Sequence, residues 1–259
     1  MSSTKIVLTI GGSDSGGAAG VQADLKAWSV MGAYGMSTIT AVTAQNSVEV
    51  AGVEWMSADF VRQQINTVLS DYGLNAVKTG LLGRADIVET IAEQLRRQMP
   101  LVVDPVLVNQ FGRPMFDDDL LSAYFEHLFP LASILTPNVE EAALLADIPV
   151  EDLSDAREAA EILHDRVGVA ILITGMTVGE EKVNLFYDGG FRYYPMVTID
   201  TKNVHGSGDV LSAAIALRLA QGDHLTVAVE YATTFTHERI LAAKELKIGE
   251  GHGPLALFC

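Results

Sequence analysis

The stretch IVLTIGGSDSGGAAGVQADLKAWSVM, residues 6–31, joins an apolar run, a glycine-rich segment and an amphipathic run. The first five residues are apolar or β-branched and suit a buried strand. Residues 21–31 carry the apolar spacing of a helix. A strand, a glycine loop and a helix in this order predict the first unit of a mostly parallel α/β sheet.

The same alternation continues along the chain. Short apolar runs predict further strands at residues 76–78, 101–103, 133–135 and 169–173, and longer amphipathic runs predict helices at residues 85–97, 139–146, 156–167 and 210–220. Asp188-Gly189-Gly190 lies between two more strand-like runs and predicts an antiparallel edge hairpin. We therefore expect an α/β fold with helices on both faces of a mostly parallel sheet. Residues 1–259 contain no repeat or long linker, so one domain is expected.

Composition limits the classes of partner. The chain has 259 residues, 49% of them apolar, and a formal net charge of −16. Nucleic acids and anionic membranes are disfavoured because they are bound through clustered Lys and Arg. The N-terminal apolar run is shorter than the core of a signal peptide. With Cys259 as the single cysteine, no internal disulfide is possible, and a cytoplasmic location is expected.

The segment NVHGSGDVLSAAIA, residues 203–216, is the strongest local motif. Gly206, Ser207 and Gly208 precede a helix, and converging N–H groups with the helix dipole there form an anion hole. Asp209 in the first helical turn is placed to accept the proton of an alcohol that attacks a γ-phosphate. The motif alone is equally consistent with a glycine loop and an ordinary helix cap.

Two common nucleotide-binding motifs are absent or incomplete. No G-x-x-x-x-G-K-[ST] pattern occurs, so the sequence has no P-loop. The early glycine cluster has Ser15 where the first glycine of G-x-G-x-x-G belongs. A dinucleotide-dependent oxidoreductase is therefore only a weak alternative.

Separated motifs in a fixed order give the chain a family resemblance. They are GGSDSGGAAGVQADLK at 11–26, TAVTAQN at 40–46, KTGLL at 78–82, DPV at 104–106, TPNVEEA at 136–142, TKNVHG at 201–206 and GHGP at 251–254. Together they resemble the hydroxymethylpyrimidine/phosphomethylpyrimidine kinases of thiamin synthesis, which belong to the ribokinase-like superfamily. The resemblance covers nearly the whole chain.

The resemblance implies a ribokinase-like three-layer α/β/α fold, usually a homodimer. It implies that the protein uses Mg-ATP to phosphorylate 4-amino-5-hydroxymethyl-2-methylpyrimidine and then its monophosphate. Carried over by position, the pyrimidine pocket would be lined by Gly12, Asp24, Gln45, Leu81 and Val106. Asp24 and Gln45 supply the acceptors and donors that an aminopyrimidine needs. Without the resemblance, Asp24 suits a solvated helix face, Gln45 a turn, and Leu81 and Val106 the core.

Further roles follow from the same resemblance. The catalytic set combines Asp209, which the local motif suggests as the base, with Gly206, Ser207 and Gly208. ATP contacts would come from Asn138, Thr174 and Lys202, and Asp104 and Glu141 would lie near Mg²⁺. Asn138 and Glu141 share one helical face at i, i+3 spacing, which also suits a plain helix start after Pro137.

The chain departs from the family at several positions. These kinases generally have cysteine at the position of Asp209. Pyridoxal kinases and sugar kinases of the same superfamily have aspartate there, as this chain does. The segment around Asn109 lacks a lysine that the family usually has there. A second family lysine is replaced by Thr174-Gly175, and the early glycine loop is shifted by one residue. Pyridoxal kinase and a ligand-binding protein on the same fold are therefore the alternatives. The lost positive charge predicts that the alcohol is preferred over its monophosphate.

Overall fold

The computed structural model describes residues 4–95, 99–109, 111–112, 114–117 and 119–258. Strands and helices alternate through most of this part of the chain. The strands are β1 Ile6–Asp14, β2 Tyr34–Gln45, β3 Val50–Trp55, β4 Ala76–Thr79, β5 Leu101–Val103, β6 Ile134–Leu135, β7 Ala170–Val178, β8 Glu181–Tyr187 and β9 Phe191–Val197. The helices are α1 Gly20–Val30, α2 Ala58–Asp71, α3 Ala85–Gln94, α4 Leu120–Ala123, α5 Val139–Ala146, α6 Leu153–Val167, α7 Ser207–Ala220 and α8 Leu225–Ala243.

All the strands join one sheet in the order β3-β2-β1-β4-β5-β6-β7-β8-β9. The pairs from β2 across to β7 are parallel. Parallel strands end at the same edge of a sheet, so the loops that follow β1, β4, β5 and β6 lie side by side. This edge is where the motifs of the sequence meet.

Antiparallel strands close both ends of the sheet. The predicted hairpin is present as β8 and β9, where Tyr187 pairs with Phe191 across the turn. The sequence did not indicate β3, which runs antiparallel to β2 and pairs Ala41 with Trp55. The predicted α/β class with a mostly parallel sheet and an antiparallel edge hairpin is confirmed, with this second antiparallel edge added.

Two apolar layers hold the helices on the sheet. One layer contains Leu8, Val77 and Val103 and packs under α2, α3, α5 and α6. The other contains Val7, Ala76 and Val102 and packs under α1, α7 and α8. Neighbouring residues of one strand thus enter opposite layers, as expected when both faces of a parallel sheet are covered.

The predicted elements match the observed ones closely. Helix α5 has the expected bounds, β1 and β7 run several residues further than expected, and α2, α4, α8, β2 and β3 were not predicted. The predicted helix end at Arg97 and the single Cys259 lie outside the described residues. No helix in the described ranges is long and apolar enough to cross a bilayer.

Candidate active site

Asp14, the last residue of β1, folds the glycine loop. Its Oδ1 accepts the Gly16 N–H at 2.8 Å, and its Oδ2 accepts the N–H groups of Ala18 and Ala19 at 2.9 Å each. Gly20 then starts α1 with φ +59°, and a Cβ there would stand 2.4 Å from the Gly12 carbonyl oxygen. One buried carboxylate therefore fixes the loop, and the close approach of two backbones requires glycine.

The N-terminus of α7 packs against this loop. Gly206 adopts φ +84°, and a Cβ on it would lie 2.0 Å from the Ala18 carbonyl oxygen. No side chain caps the helix. The Ser207 N–H donates to the Val204 carbonyl, and the N–H groups of Gly208 and Asp209 have no backbone acceptor among the described residues. Two of the N–H groups at the predicted anion hole therefore remain for a ligand, and Ser207 takes part in the turn.

Asp209 is held from two sides. Its Oδ1 accepts a hydrogen bond from Lys78 Nζ at 2.9 Å, and its Oδ2 accepts the Gly20 N–H at 3.0 Å. Its side chain is 14% exposed and faces the cavity. A carboxylate fixed in this way is oriented toward a ligand without needing to reorganise.

Lys78 is a fully buried lysine on β4. Its Nζ bonds both oxygens of Asp24, at 2.7 and 2.9 Å, and lies 4.0 Å from Asp104 Oδ2. Burial alone would lower the pKa of Lys78, but the carboxylates of Asp209, Asp24 and Asp104 raise it. Burial raises the pKa of Asp24 to about 7 although Lys78 opposes this change. The lysine remains charged and is shared among these carboxylates.

Asp104 and Glu141 form an acidic corner beside α5. Asp104 Oδ2 accepts the Ser212 hydroxyl at 3.0 Å, and burial raises the pKa of Asp104 to about 6. Glu141 accepts the N–H groups of Leu107 and Asn138, while the Asn138 side chain accepts the Glu141 N–H. Burial first, and then the Asp104 carboxylate, raise the pKa of Glu141 to about 8. Burial and the charge of the neighbouring carboxyls thus keep the pKa values of both groups above their ordinary range.

Gln45 and His205 lie on the opposite wall. Gln45 Nε2 is 2.9 Å from His205 Nε2, and His205 Nε2 is 3.7 Å from Asp14 Oδ2. Burial lowers the pKa of His205 in spite of Asp14, which favours the neutral ring that can accept the amide N–H. Gln45 Oε1 has no partner among the described residues, so it is available to a ligand.

These residues surround a cavity of about 590 Å³. Most of the predicted site residues line it: Gly12, Gln45, Leu81, Asp104, Val106, Asn138, Glu141, Thr174, Gly206, Ser207, Gly208 and Asp209. Thr174 lies beside Asn138 through a parallel bridge. The described lining includes five acidic residues and no Lys or Arg. The described part of the lining is therefore rich in carboxyl groups.

Two predicted contacts lie elsewhere. Asp24 is 1% exposed, and its carboxylate is occupied by Lys78 and by the Thr9 hydroxyl at 2.6 Å, so it lies beneath the cavity wall. Lys202 lines a separate pocket with Lys244 and Lys247. Asp24 was expected on the pyrimidine and Lys202 on ATP, and neither borders the main cavity.

The sequence alone indicated no role for Lys78, Asp14 or Ser212. The signal for Lys78 was available, because a lysine in a central strand covered on both faces requires buried acidic partners. The alternation of the strand places it opposite Val77, on the face of α1 and α7. Asp14 had a local signal as well, because an aspartate ahead of a glycine-rich segment commonly accepts the N–H two residues on. The contact of Ser212 with Asp104 joins segments that are distant in sequence.

A three-layer α/β/α fold with a glycine-flanked, uncapped helix N-terminus and an aspartate in its first turn defines the ribokinase-like small-molecule kinases. The family model for phosphomethylpyrimidine kinase matches residues 14–256. The chain belongs to the phosphomethylpyrimidine kinase family.

Named relatives agree with this membership. The chain is 44% identical over 259 residues to a hydroxymethylpyrimidine/phosphomethylpyrimidine kinase from Rhizobium meliloti, covering 98% of this chain and 97% of the relative. It is similar to the crystal structure of phosphomethylpyrimidine kinase from Clostridium difficile, with TM-score 0.80, 34% identity and coverage of 92% and 100%. It is also similar to the pyridoxal kinase from Staphylococcus aureus in complex with AMP-PCP and pyridoxal, with TM-score 0.87, 30% identity and coverage of 98% and 94%.

Proposed function

We propose that residues 1–259 form one kinase domain that uses Mg-ATP to phosphorylate the hydroxymethyl group of 4-amino-5-hydroxymethyl-2-methylpyrimidine, and then the resulting monophosphate. The observation that carries this proposal is the Asp209 carboxylate, fixed at the cavity beside the N–H groups of the α7 N-terminus. The kinase names of relatives that match almost the full chain support it. A homodimer and a cytoplasmic location stay predictions.

The proposed chemistry is a direct transfer of the γ-phosphoryl group. The substrate hydroxyl oxygen forms a bond to the γ-phosphorus while the bond from that phosphorus to the β–γ bridging oxygen breaks, releasing ADP. Asp209 accepts the hydroxyl proton. The N–H groups of Gly208 and Asp209 stabilise the charge on the transferred oxygens.

The pyrimidine ring is assigned to the wall that contains Gly12, Gln45, Leu81 and Val106. Gln45 Oε1 can accept a hydrogen bond from the exocyclic amine, because its Nε2 is already directed to His205. Leu81 and Val106 provide apolar surface beside the ring. Asn138 and Thr174, on the far side of the cavity, are assigned to ATP.

Asp104 and Glu141 suit a magnesium site. Mg²⁺ prefers one or two carboxylates together with waters and phosphate oxygens. The Glu141 oxygens already accept two backbone N–H groups, so Asp104 is the better direct ligand and Glu141 would act through water. The buried Thr136 hydroxyl at this wall has no hydrogen-bond partner within the described chain. When bound, the ion would neutralise phosphate charge.

A second candidate function is phosphorylation of pyridoxal. It is favoured by Asp209 and by the structural similarity to a pyridoxal kinase. The deciding experiment measures ADP release with Mg-ATP and the pyrimidine alcohol, beside pyridoxal and a control without acceptor. We expect turnover of the pyrimidine. Turnover of pyridoxal alone would transfer the assignment, and turnover of neither would favour a ligand-binding protein.

We expect the alcohol to be a better acceptor than its monophosphate. The monophosphate is already an anion, and a carboxylate about 4 Å away repels it by about 4 kcal/mol at an effective dielectric of about 20, before Lys78 offsets part of this. The cavity also lacks lysine and arginine among its described lining. Steady-state kinetics should give at least about a tenfold higher kcat/KM for the alcohol, equivalent to about 1.4 kcal/mol. A higher kcat/KM for the monophosphate would contradict this expectation.

A further inference from the structure

Lys78 connects β4, α1 and α7 at one point below the cavity. It projects from β4, is fully buried, and reaches Asp24 on α1 and Asp209 on α7. A buried charge of this kind is retained only when partners compensate for the loss of water. Asp24 uses both its oxygens for Lys78 and also accepts the Thr9 hydroxyl. The lysine is therefore fixed from below before it meets Asp209.

The contact with Asp209 uses one oxygen only. Lys78 Nζ donates a hydrogen bond to Asp209 Oδ1 at 2.9 Å, and the Gly20 N–H donates one to Asp209 Oδ2 at 3.0 Å. Two donors from different elements define both the position and the plane of the carboxylate. Without Lys78, the side chain of Asp209 would be held at Oδ2 alone and could rotate about that bond.

Other charged groups near the cluster do not replace this contact. Asp104 lies 4.0 Å from Lys78 and repels Asp209, and Asp14 is engaged with the glycine loop. His205 is directed to Gln45. Among the described residues, Lys78 is the cation that contacts Asp209.

We propose that Lys78 is a positioning residue, which holds the Asp209 carboxylate at the angle needed to accept the proton of the acceptor hydroxyl, and that Asp24 acts by fixing Lys78. This inference rests on the proposed function in that Asp209 is taken as the base. In this inference Asp24 holds Lys78 from beneath the cavity and does not contact the pyrimidine.

The test compares variants that keep the charge of the cluster. Lys78→Met alone leaves Asp24 buried without its partner and is expected to unfold readily. The double variant Lys78→Met/Asp24→Asn removes one positive and one negative charge, so the net charge is unchanged. We expect its kcat to fall about 10- to 100-fold, part of the 10²–10⁴ that a general base supplies. Its KM for the acceptor should change less than about threefold, since only the base is disturbed.

A conservative variant and a stability control complete the series. Lys78→Gln/Asp24→Asn retains an N–H donor toward Asp209 and should recover part of kcat. Leu163→Ala opens the buried core under α6 and should lower the melting temperature while kcat stays at the wild-type value. If the methionine variant does not fold, the crystal structure of the glutamine variant decides. A hydrogen bond from the introduced glutamine amide to Asp209 Oδ1 would then support the inference, and Asp209 in place without that bond would overturn it.

Crystal structures of the variants separate this inference from the proposed function. In Lys78→Met/Asp24→Asn the Asp209 side chain should leave its wild-type position while the glycine loop stays folded. An unmoved Asp209, or a kcat within about twofold of wild type, would overturn the positioning role. If the wild-type protein phosphorylates neither test acceptor, the proposed function fails, and the position of Asp209 in the crystals still decides the role of Lys78.

Discussion

The role of Asp209 as the base can be tested by replacing one of its carboxylate oxygens with an amide nitrogen. Both its oxygens accept hydrogen bonds from donors, Lys78 Nζ and the Gly20 N–H. In Asp209→Asn an amide N–H₂ would face one of these donors, so the side chain must turn away. We expect kcat to fall about 10²- to 10⁴-fold with little loss of stability. The measurement is ADP release under saturating Mg-ATP and pyrimidine alcohol.

A matched control is available beyond the other end of α7. Asp223 forms a partly exposed ion pair with Arg218, and Asp223→Asn makes the same chemical change away from the cavity. This variant should retain the wild-type kcat. Equal turnover of the Asp209→Asn and wild-type proteins would rule out Asp209 as the base.

Glu141 gives a prediction on the pH dependence of folding stability. Its pKa is raised to about 8 in the folded chain, mainly by burial, from an ordinary value of 4.5. Between these values the folded state holds a proton that the unfolded state has lost. Stability from this group is therefore fully present below about pH 4.5 and is lost as the pH rises toward 8, by roughly a few kcal/mol.

Urea denaturation in buffer with chelator should measure this slope. In Glu141→Gln the fall in unfolding free energy from about pH 5 to about pH 8 is expected to become shallower, because the titrating group is absent. Glu158→Gln removes the same charge from an exposed position of α6 and serves as the control. A slope that is identical in wild type and Glu141→Gln would contradict the assignment.

The sequence located the cavity residues better than the contacts between them. Motif positions such as Gln45, Asp104 and Glu141 line the cavity as expected. The resemblance implied that Asp24 contacts the pyrimidine, and helical spacing alone suits a solvated face of α1, because spacing does not show what covers that face. The cover is Lys78, which comes from a strand distant in sequence. Tertiary pairing of this kind is not encoded in local periodicity.

At the scale of elements, the meeting of the glycine loop and α7 depends on one glycine. A Cβ on Gly206 would lie 2.0 Å from the Ala18 carbonyl oxygen, so alanine there requires the two segments to separate. Gly222 also has a positive φ, +95°, but a Cβ on it would meet nothing within 4 Å from the rest of the described chain. The two glycines thus share the conformational requirement and differ in the space around them.

We expect Gly222→Ala to cost about 1–2 kcal/mol, the usual penalty of the left-handed region, with kcat unchanged. Gly206→Ala should lose more stability than this and should also lower kcat, because the Asp209 carboxylate moves away from the Gly20 N–H. Thermal denaturation and ADP release on both variants check this. Similar kcat for the two variants would argue against close docking of the loops.

Element prediction succeeded where periodicity and burial agree. The central strands and α5, α6 and α7 followed from short apolar runs and amphipathic spacing. Helix α8 was missed; its sequence, LTVAVEYATTFTHERILAA, is rich in β-branched and aromatic residues that weaken a helical prediction. Its packing against α7 decides its structure, and packing is not visible locally.

At the scale of the whole molecule, the net charge of −16 acts on the nucleotide as it approaches. The field extends about 30 Å at about 0.01 M salt and about 8 Å at about 0.15 M. Mg-ATP is anionic, so we expect its kcat/KM to rise severalfold between these salt concentrations. The uncharged pyrimidine alcohol provides an internal control, since its kcat/KM should change little.

The salt titration has a clear opposite outcome. A fall of kcat/KM for Mg-ATP with increasing salt would mean that local positive charge, and not the field of the whole chain, governs encounter. The described cavity lining contains five acidic residues, which add to the negative field, and no Lys or Arg that would oppose it.

The shared lysine also constrains how this site can change over evolutionary time. Positions 24, 78 and 209 form one charge-coupled unit, in which two carboxyl groups share one lysine, so their substitutions are epistatic. A neutral residue at position 209 is tolerated, because Lys78 remains paired with Asp24. Loss of the lysine is tolerated only after position 24 has been neutralised. Lineages can therefore exchange the base by a single mutation, whereas removal of Lys78 requires a particular order of steps.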